Sequence, residues 1–79
     1  MAFYVLILKE SEDEITAIYR FGPNRDQLGR LAFDKRTGRA TELDPAPVAQ
    51  NPHLFIRAQA KIYQHWLEGS LPERTVWAS

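Results

Sequence analysis

Between Ala2 and Leu8 no polar residue other than the tyrosine hydroxyl interrupts the sequence AFYVLIL. An aromatic and aliphatic run of this length, without alternation, predicts a strand over Phe3–Lys9 that is covered on both faces. The next five residues, ESEDE, are all polar and are expected to end that strand in a loop. The pattern then changes. In ITAIYRF, Ile15, Ala17, Tyr19 and Phe21 alternate with Thr16, Ile18 and Arg20, which is the period of a strand with one buried face. The short connection predicts that the two strands pair as an antiparallel hairpin.

Gly22, Pro23 and Asn24 end the second strand with turn chemistry. A third strand is expected over Leu28–Asp34, with Leu31 and Phe33 on one face and Arg30, Ala32 and Asp34 on the other. DKRTG closes it, and Gly38 supplies the positive φ that a type I turn with a bulge needs at its last position. Arg39–Leu43 returns as a shorter fourth strand, with Thr41 and Leu43 sharing a face opposite Ala40 and Glu42. Pro45, Pro47 and Pro52 hold the following linker extended. Asn51 as N-cap and Pro52 at the first helical position then open a helix predicted over 52–68. Leu54, Ala58, Ile62 and Trp66 recur every four residues, and Phe55, Tyr63 and Leu67 widen the stripe. Arg57, Lys61, Gln64 and Glu68 fall on the wet side. Gly69 is the expected stop. In the tail LPERTVWAS, Thr75–Trp77 either adds a last strand or lies along the helix.

The order β-β-β-β-α predicts an α+β fold: one domain over residues 1–79, a four-stranded antiparallel sheet, one C-terminal helix packed on one face, and a short tail. Because the first strand is apolar on both sides, its second face also calls for cover. The tail, a second copy of the chain, or another protein would supply it.

Composition narrows the functional classes. The 79 residues contain no cysteine, which excludes disulfides and thiolate metal sites and favours a reducing, cytoplasmic setting. A core this small leaves self-association or a protein partner as the expected added support. The N-terminal apolar run is too short for a membrane span and has no basic segment before it, so neither a membrane role nor a signal peptide is expected. The formal net charge is zero, which argues against bulk attraction to nucleic acid. The charge is nonetheless blocked. Met1–Tyr19 carries Lys9 against Glu10, Glu12, Asp13 and Glu14, a net of −3. Arg20–Arg39 carries Arg20, Arg25, Arg30, Lys35, Arg36 and Arg39 against Asp26 and Asp34, a net of +4. Blocks on separate surfaces would make a dipole; adjacent blocks would cancel.

Three groups carry candidate chemistry. The basic hairpin of Arg30, Lys35, Arg36 and Arg39 suits phosphate contact, with Tyr4, Tyr19 or Phe33 as stacking platforms. The competing reading is a solvated hairpin, partly neutralised by Asp34 and Glu42, whose charges block unwanted edge pairing. The acidic loop of Glu10, Glu12, Asp13 and Glu14 suits docking onto a basic protein such as a nuclease active site. It lacks the glycine and distal glutamate of a calcium loop. Trp77 is a candidate aromatic anchor for a partner, or else folds back onto the core.

His53 and His65 are twelve residues apart, about 18 Å along a helix, and cannot share a metal or a catalytic centre on it. Ser11, Ser70 and Ser79 have no nucleophile-elbow setting, and Gly22, Gly29, Gly38 and Gly69 build no phosphate loop. No catalytic residue, metal or cofactor is therefore assigned. The preferred reading is a small non-catalytic protein-interaction domain, of the bacterial immunity or antitoxin type or a homodimer through the uncovered sheet face. Nucleic-acid binding through the basic hairpin and Arg25 is the alternative, and a small enzyme the weakest.

Overall fold

A computed structural model describes residues 4–47 and 53–78. The elements run β1 (Tyr4–Glu12), β2 (Thr16–Gly22), β3 (Gly29–Asp34), β4 (Arg39–Asp44), α1 (His53–Leu67) and β5 (Arg74–Ala78). The strands form one sheet in the order β4-β3-β2-β1-β5, with every neighbouring pair antiparallel. The α+β class with an antiparallel sheet and one helix after the fourth strand is as the sequence predicts, but the sheet has five strands among the described residues rather than four. The tail supplies the fifth. It pairs with β1 from Tyr4↔Ala78 to Leu8↔Arg74, because β1 otherwise leaves a row of backbone donors and acceptors unpaired along that side. It therefore extends the sheet sideways and does not cover the second face of β1.

The acidic stretch also departs from expectation. β1 continues through Glu10, Ser11 and Glu12. Lys9 pairs with Tyr19 while Ser11 pairs with Ile18, so Glu10 is the extra residue of a bulge. The bulge keeps the strand in the ladder despite its polarity and shrinks the loop to Asp13–Ile15. The Asp13 carboxylate accepts the backbone N–H groups of Ile15 and Thr16 at 2.8 and 2.7 Å, which fixes the turn. Ile15 accordingly sits in the turn, 46 % exposed, and not on the buried face of β2.

Elsewhere the alternation is realised. Ala17, Tyr19 and Phe21 of β2 and Leu31 and Phe33 of β3 are fully buried, with Val5 and Ile7 of β1 beside them. Leu54, Ala58 and Ile62 of α1 close this cluster from above, and Ala46 at the start of the linker joins it. Each fully buried large apolar side chain contributes about 1.5–3 kcal/mol. Phe55 meets Phe21 at 5.9 Å between ring centroids, and Trp66 meets Phe33 edge-on at 5.8 Å. The helix stripe is narrower than its sequence suggests: Tyr63 and Leu67 are exposed.

Gly69 ends α1 with φ +89°. Its N–H donates to Trp66 O, and the N–H of Ser70 donates to His65 O, the paired closure that satisfies the last carbonyls of a helix. Gly38 has φ +77°, as expected, but the turn is wider than a type I turn: its N–H donates to Asp34 O at 2.8 Å across five residues. The expected cap at Asn51 and Pro52, and the first strand residue Phe3, lie outside the described residues.

Candidate interaction surface

The sheet order sets the β1–β2 and β3–β4 turns side by side at one end, so the acidic loop and the basic hairpin form a single site. Arg30 donates from Nε and Nη2 to the two carboxylate oxygens of Glu10 at 3.1 and 2.9 Å. Lys35 donates to Glu12 at 2.6 Å and to Asp13 O at 2.8 Å. Arg36 reaches back to Asp34 at 3.2 Å, and its backbone N–H bonds the same carboxylate. The two charge blocks cancel in part: among the described residues Arg20, Arg25, Arg39 and Glu14 form no ion pair.

The ionisation of these groups records the pairing. The hydrogen bond from Arg30 holds Glu10 below the ordinary carboxylate value. Hydrogen bonds from Lys35 and then Lys9 do the same for Glu12, the backbone N–H groups of Thr16 and Ile15 for Asp13, and Arg36 for Asp34. Glu42, expected to help neutralise the hairpin, makes no ion pair among the described residues, and neither does Arg39.

Beneath the tips, the connection from α1 to β5 is pinned to the sheet. The Lys9 side chain is 9 % exposed; its Nζ pairs with Glu12 and donates to Leu71 O at 2.8 Å. The Tyr19 hydroxyl donates to Pro72 O at 2.6 Å. Burial first, then the nearby Glu12 and Glu73 carboxylates, push the Tyr19 hydroxyl well above its ordinary pKa. Trp66 Nε1 donates to Lys35 O at 2.9 Å, tying the helix to the β3–β4 turn. His65 Nε2 lies 3.2 Å from Thr75 Oγ1.

Tyr19 and Phe33, two of the three rings considered for base stacking, are thus sealed under the helix. Trp77 lies opposite Val5 on the helix side, packed against the core, with the Arg57 guanidinium carbon 4.6 Å from its ring centroid. It is part of the fold's edge packing.

The other side of the sheet carries Ile18, Arg20 and Arg30, which the sequence pattern sets opposite the core positions of β2 and β3, and Tyr4, the third ring considered for stacking. Leu6 is buried to 4 % exposure yet lies outside the cluster under the helix, because it points the opposite way from Val5 and Ile7. Tyr4, Leu8, Ile18 and Val76 share that open face, each partly exposed, and Tyr4 is 42 % exposed. The ladder aligns Arg74, Leu8, Arg20 and Arg30 across four strands, so an apolar strip is crossed by a row of arginines. Glu10 and Asp44 both engage Arg30. Among the described residues Arg20 and Arg74 form no ion pair. The signal for this face was the two-sided apolar run of β1, which called for cover without saying where.

Among the described residues no group of three or more His, Cys, Asp or Glu is placed to hold a metal ion, and no helix is long and apolar enough to cross a membrane. Compared with known proteins, the chain matches no protein-family model, no curated protein and no solved structure.

Proposed function

We propose that the protein is a small non-catalytic interaction domain, working in the cytoplasm, whose open sheet face binds a partner protein. The observation that carries this reading is the pairing of a partly exposed apolar strip, Tyr4, Leu8, Ile18 and Val76, with two arginines, Arg20 and Arg74, that form no ion pair among the described residues. An apolar centre edged by charge is the usual make-up of a protein interface. The sign of the charge selects the partner: an apolar patch flanked by carboxylates. Self-association face to face brings arginine rows together and is disfavoured by like-charge contact. A neutralising role of the immunity or antitoxin kind would use such a face to dock onto its target.

Nucleic acid is the competing ligand for the same arginines. Tyr4 is the one aromatic ring on that face among the described residues, so a series of stacked bases has little platform. The hairpin cations Lys35 and Arg36 are already engaged by carboxylates.

The test compares affinity capture by the wild type, Leu8→Asp, Arg20→Glu and Arg36→Glu, with and without nuclease. A stoichiometric protein that survives nuclease, is lost with Leu8→Asp and Arg20→Glu, and is kept with Arg36→Glu supports the open face. Its binding is then measured with the purified partner. Capture that vanishes on nuclease treatment, or follows Arg36 alone, overturns the reading.

A further inference from the structure

We infer that β4 is a homodimerisation edge, along which a second copy of this chain adds its own β4 to make one continuous sheet. The argument is independent of what binds the open face. β4 is a terminal strand of the sheet, and all of its residues except Ala40 are exposed. Among the described residues its outer row of backbone N–H and C=O groups has no strand beside it, which is a template for pairing. Natural edges usually block that pairing with like charges that repel a copy. The charges of β4 do the opposite. Arg39 stands at its N-terminal end, and Glu42 and Asp44 stand at its C-terminal end.

An antiparallel copy reverses that order. Directly opposite residues of an antiparallel pair share a face, so a two-fold axis normal to the sheet passes midway between one residue and its own copy. With Thr41 as that residue, the two threonines face each other, a favourable cross-strand pair. Ala40 then faces Glu42 of the second copy, and Arg39 faces its Leu43. The β3–β4 register skips Leu43, pairing Leu31 with Glu42 and Arg30 with Asp44, so Asp44 lies on the same face as Arg39. Arg39 of each copy is thereby set beside Asp44 of the other, twice by symmetry. The closed two-fold contact is self-complementary and stops at two copies.

The state of the charges inside one chain supports this occupant. At the adjacent turns Glu10, Glu12, Asp34, Arg30, Lys35 and Arg36 are all spent on one another. Arg39 and Glu42 have no ion pair among the described residues, and Asp44 has only a 3.6 Å contact with Arg30. Leu43 is 45 % exposed and gains cover from the Arg39 stem of the second copy. The opposite edge lacks such order. β5 carries Arg74 as its one charge, and a copy centred on Val76 sets Arg74 against Ala78.

Sedimentation velocity over a concentration series is the first test. The mass should double as concentration rises, and added salt should weaken the association. Arg39→Glu and Asp44→Arg should each be monomeric at concentrations where the wild type is dimeric. Mixed one to one they should regain the dimer. The acid introduced at position 39 of one variant then meets the base introduced at position 44 of the other, while the native Asp44 of the first meets the native Arg39 of the second. Circular dichroism checks that each variant is folded. Should Asp44→Arg, beside Arg30, fail to fold, cysteine cross-linking decides. The chain has no cysteine, so Thr41→Cys should oxidise to a covalent dimer while Ser11→Cys should not. A wild type that stays monomeric throughout, a dimer indifferent to Arg39→Glu, or no preference for cross-linking at position 41 overturns the assignment.

Discussion

Arg30 and Glu10 meet across an intervening strand. Glu10 is the bulged residue of β1 and Arg30 belongs to β3, yet the guanidinium grips the carboxylate through two nitrogens, over the top of β2. Arg20 lies between them in the ladder, directly opposite Arg30. Two arginines facing each other on adjacent strands repel, and the bulge brings Glu10 to where it offsets that repulsion. A double-mutant cycle with Glu10→Gln and Arg30→Met should therefore give a small favourable coupling in urea denaturation that fades with salt. Glu10→Gln alone should cost more than Glu14→Gln. Equal costs for the two glutamates would mean the bulge has another cause.

The acid limb of stability should be set by the same hairpin ends. Glu12 is held below its ordinary value of 4.5, first by Lys35 and then by Lys9. Glu10 is lowered from 4.5, and Asp13 and Asp34 from 3.8. A carboxylate with a depressed folded pKa adds stability at pH above its unfolded value, and that addition is lost as pH falls through the folded value. Urea midpoints should thus hold level toward neutrality and decline below pH 4.5, the ordinary value of Glu10 and Glu12. Glu12→Gln and Lys35→Met should each flatten that decline. A slope unchanged in both variants would place the acid sensitivity elsewhere.

Two glycines separate conformational cost from packing cost. Gly69 and Gly38 both have positive φ, +89° and +77°. A Cβ on Gly69 would meet nothing within 4 Å, whereas on Gly38 it would stand 2.5 Å from Trp66 and 2.8 Å from Tyr63. Gly69→Ala should cost about 1 kcal/mol, the left-handed penalty alone. Gly38→Ala should cost that and more, and should change Trp66 fluorescence, since the indole must shift. Matching costs and an unaltered emission spectrum would show that the turn moves instead of the ring.

How far the fold was legible follows from how singular each pattern was. β2 and β3 alternate, Ile18 apart, and only one register buries Tyr19, Phe21, Leu31 and Phe33 together. Leu54, Ala58 and Ile62 recur at helical spacing, and they are the residues α1 buries. β1 is apolar at every position from Tyr4 to Leu8, so no periodicity says whether Val5 or Leu6 faces the helix. Only pairing with β2 settles it. ESE reads as loop by composition, but a bulge and three cations hold it in the sheet, and those partners are mostly distant in sequence. The tail RTVWA sets two polar residues before three apolar ones, a pattern that names neither strand nor helix, and an unpaired side of β1 decided its place. The charge blocks were visible as blocks, but their cancellation depends on strand order, which sequence does not state. The open face was foreseen as a need for cover, while Arg20 and Arg74 became part of it only once the ladder aligned them with Leu8.

The last prediction concerns the joint that holds β5 on. The Tyr19 hydroxyl is the one polar atom of a side chain otherwise closed in the core, and it reaches Pro72 O, just ahead of β5. Tyr19→Phe keeps the ring and removes the bond, so it isolates the joint from the packing. It should lower stability by about 0.5–1.5 kcal/mol, the usual worth of one hydrogen bond. Ile62→Ala, which opens a cavity under α1, should cost about 2–5 kcal/mol. The distribution of the loss matters more than its size. Hydrogen exchange in Tyr19→Phe should accelerate chiefly at the β5 amides, around Val76, because the bond acts on the approach to that strand alone. In Ile62→Ala, protection should fall across β1, β2, β3 and α1, which share the cluster that loses volume. Uniform loss in Tyr19→Phe would mean that β5 opens only with the whole sheet, and that Lys9, through Leu71 O and the Lys9 N–H bond to Glu73 O, is the stronger clasp.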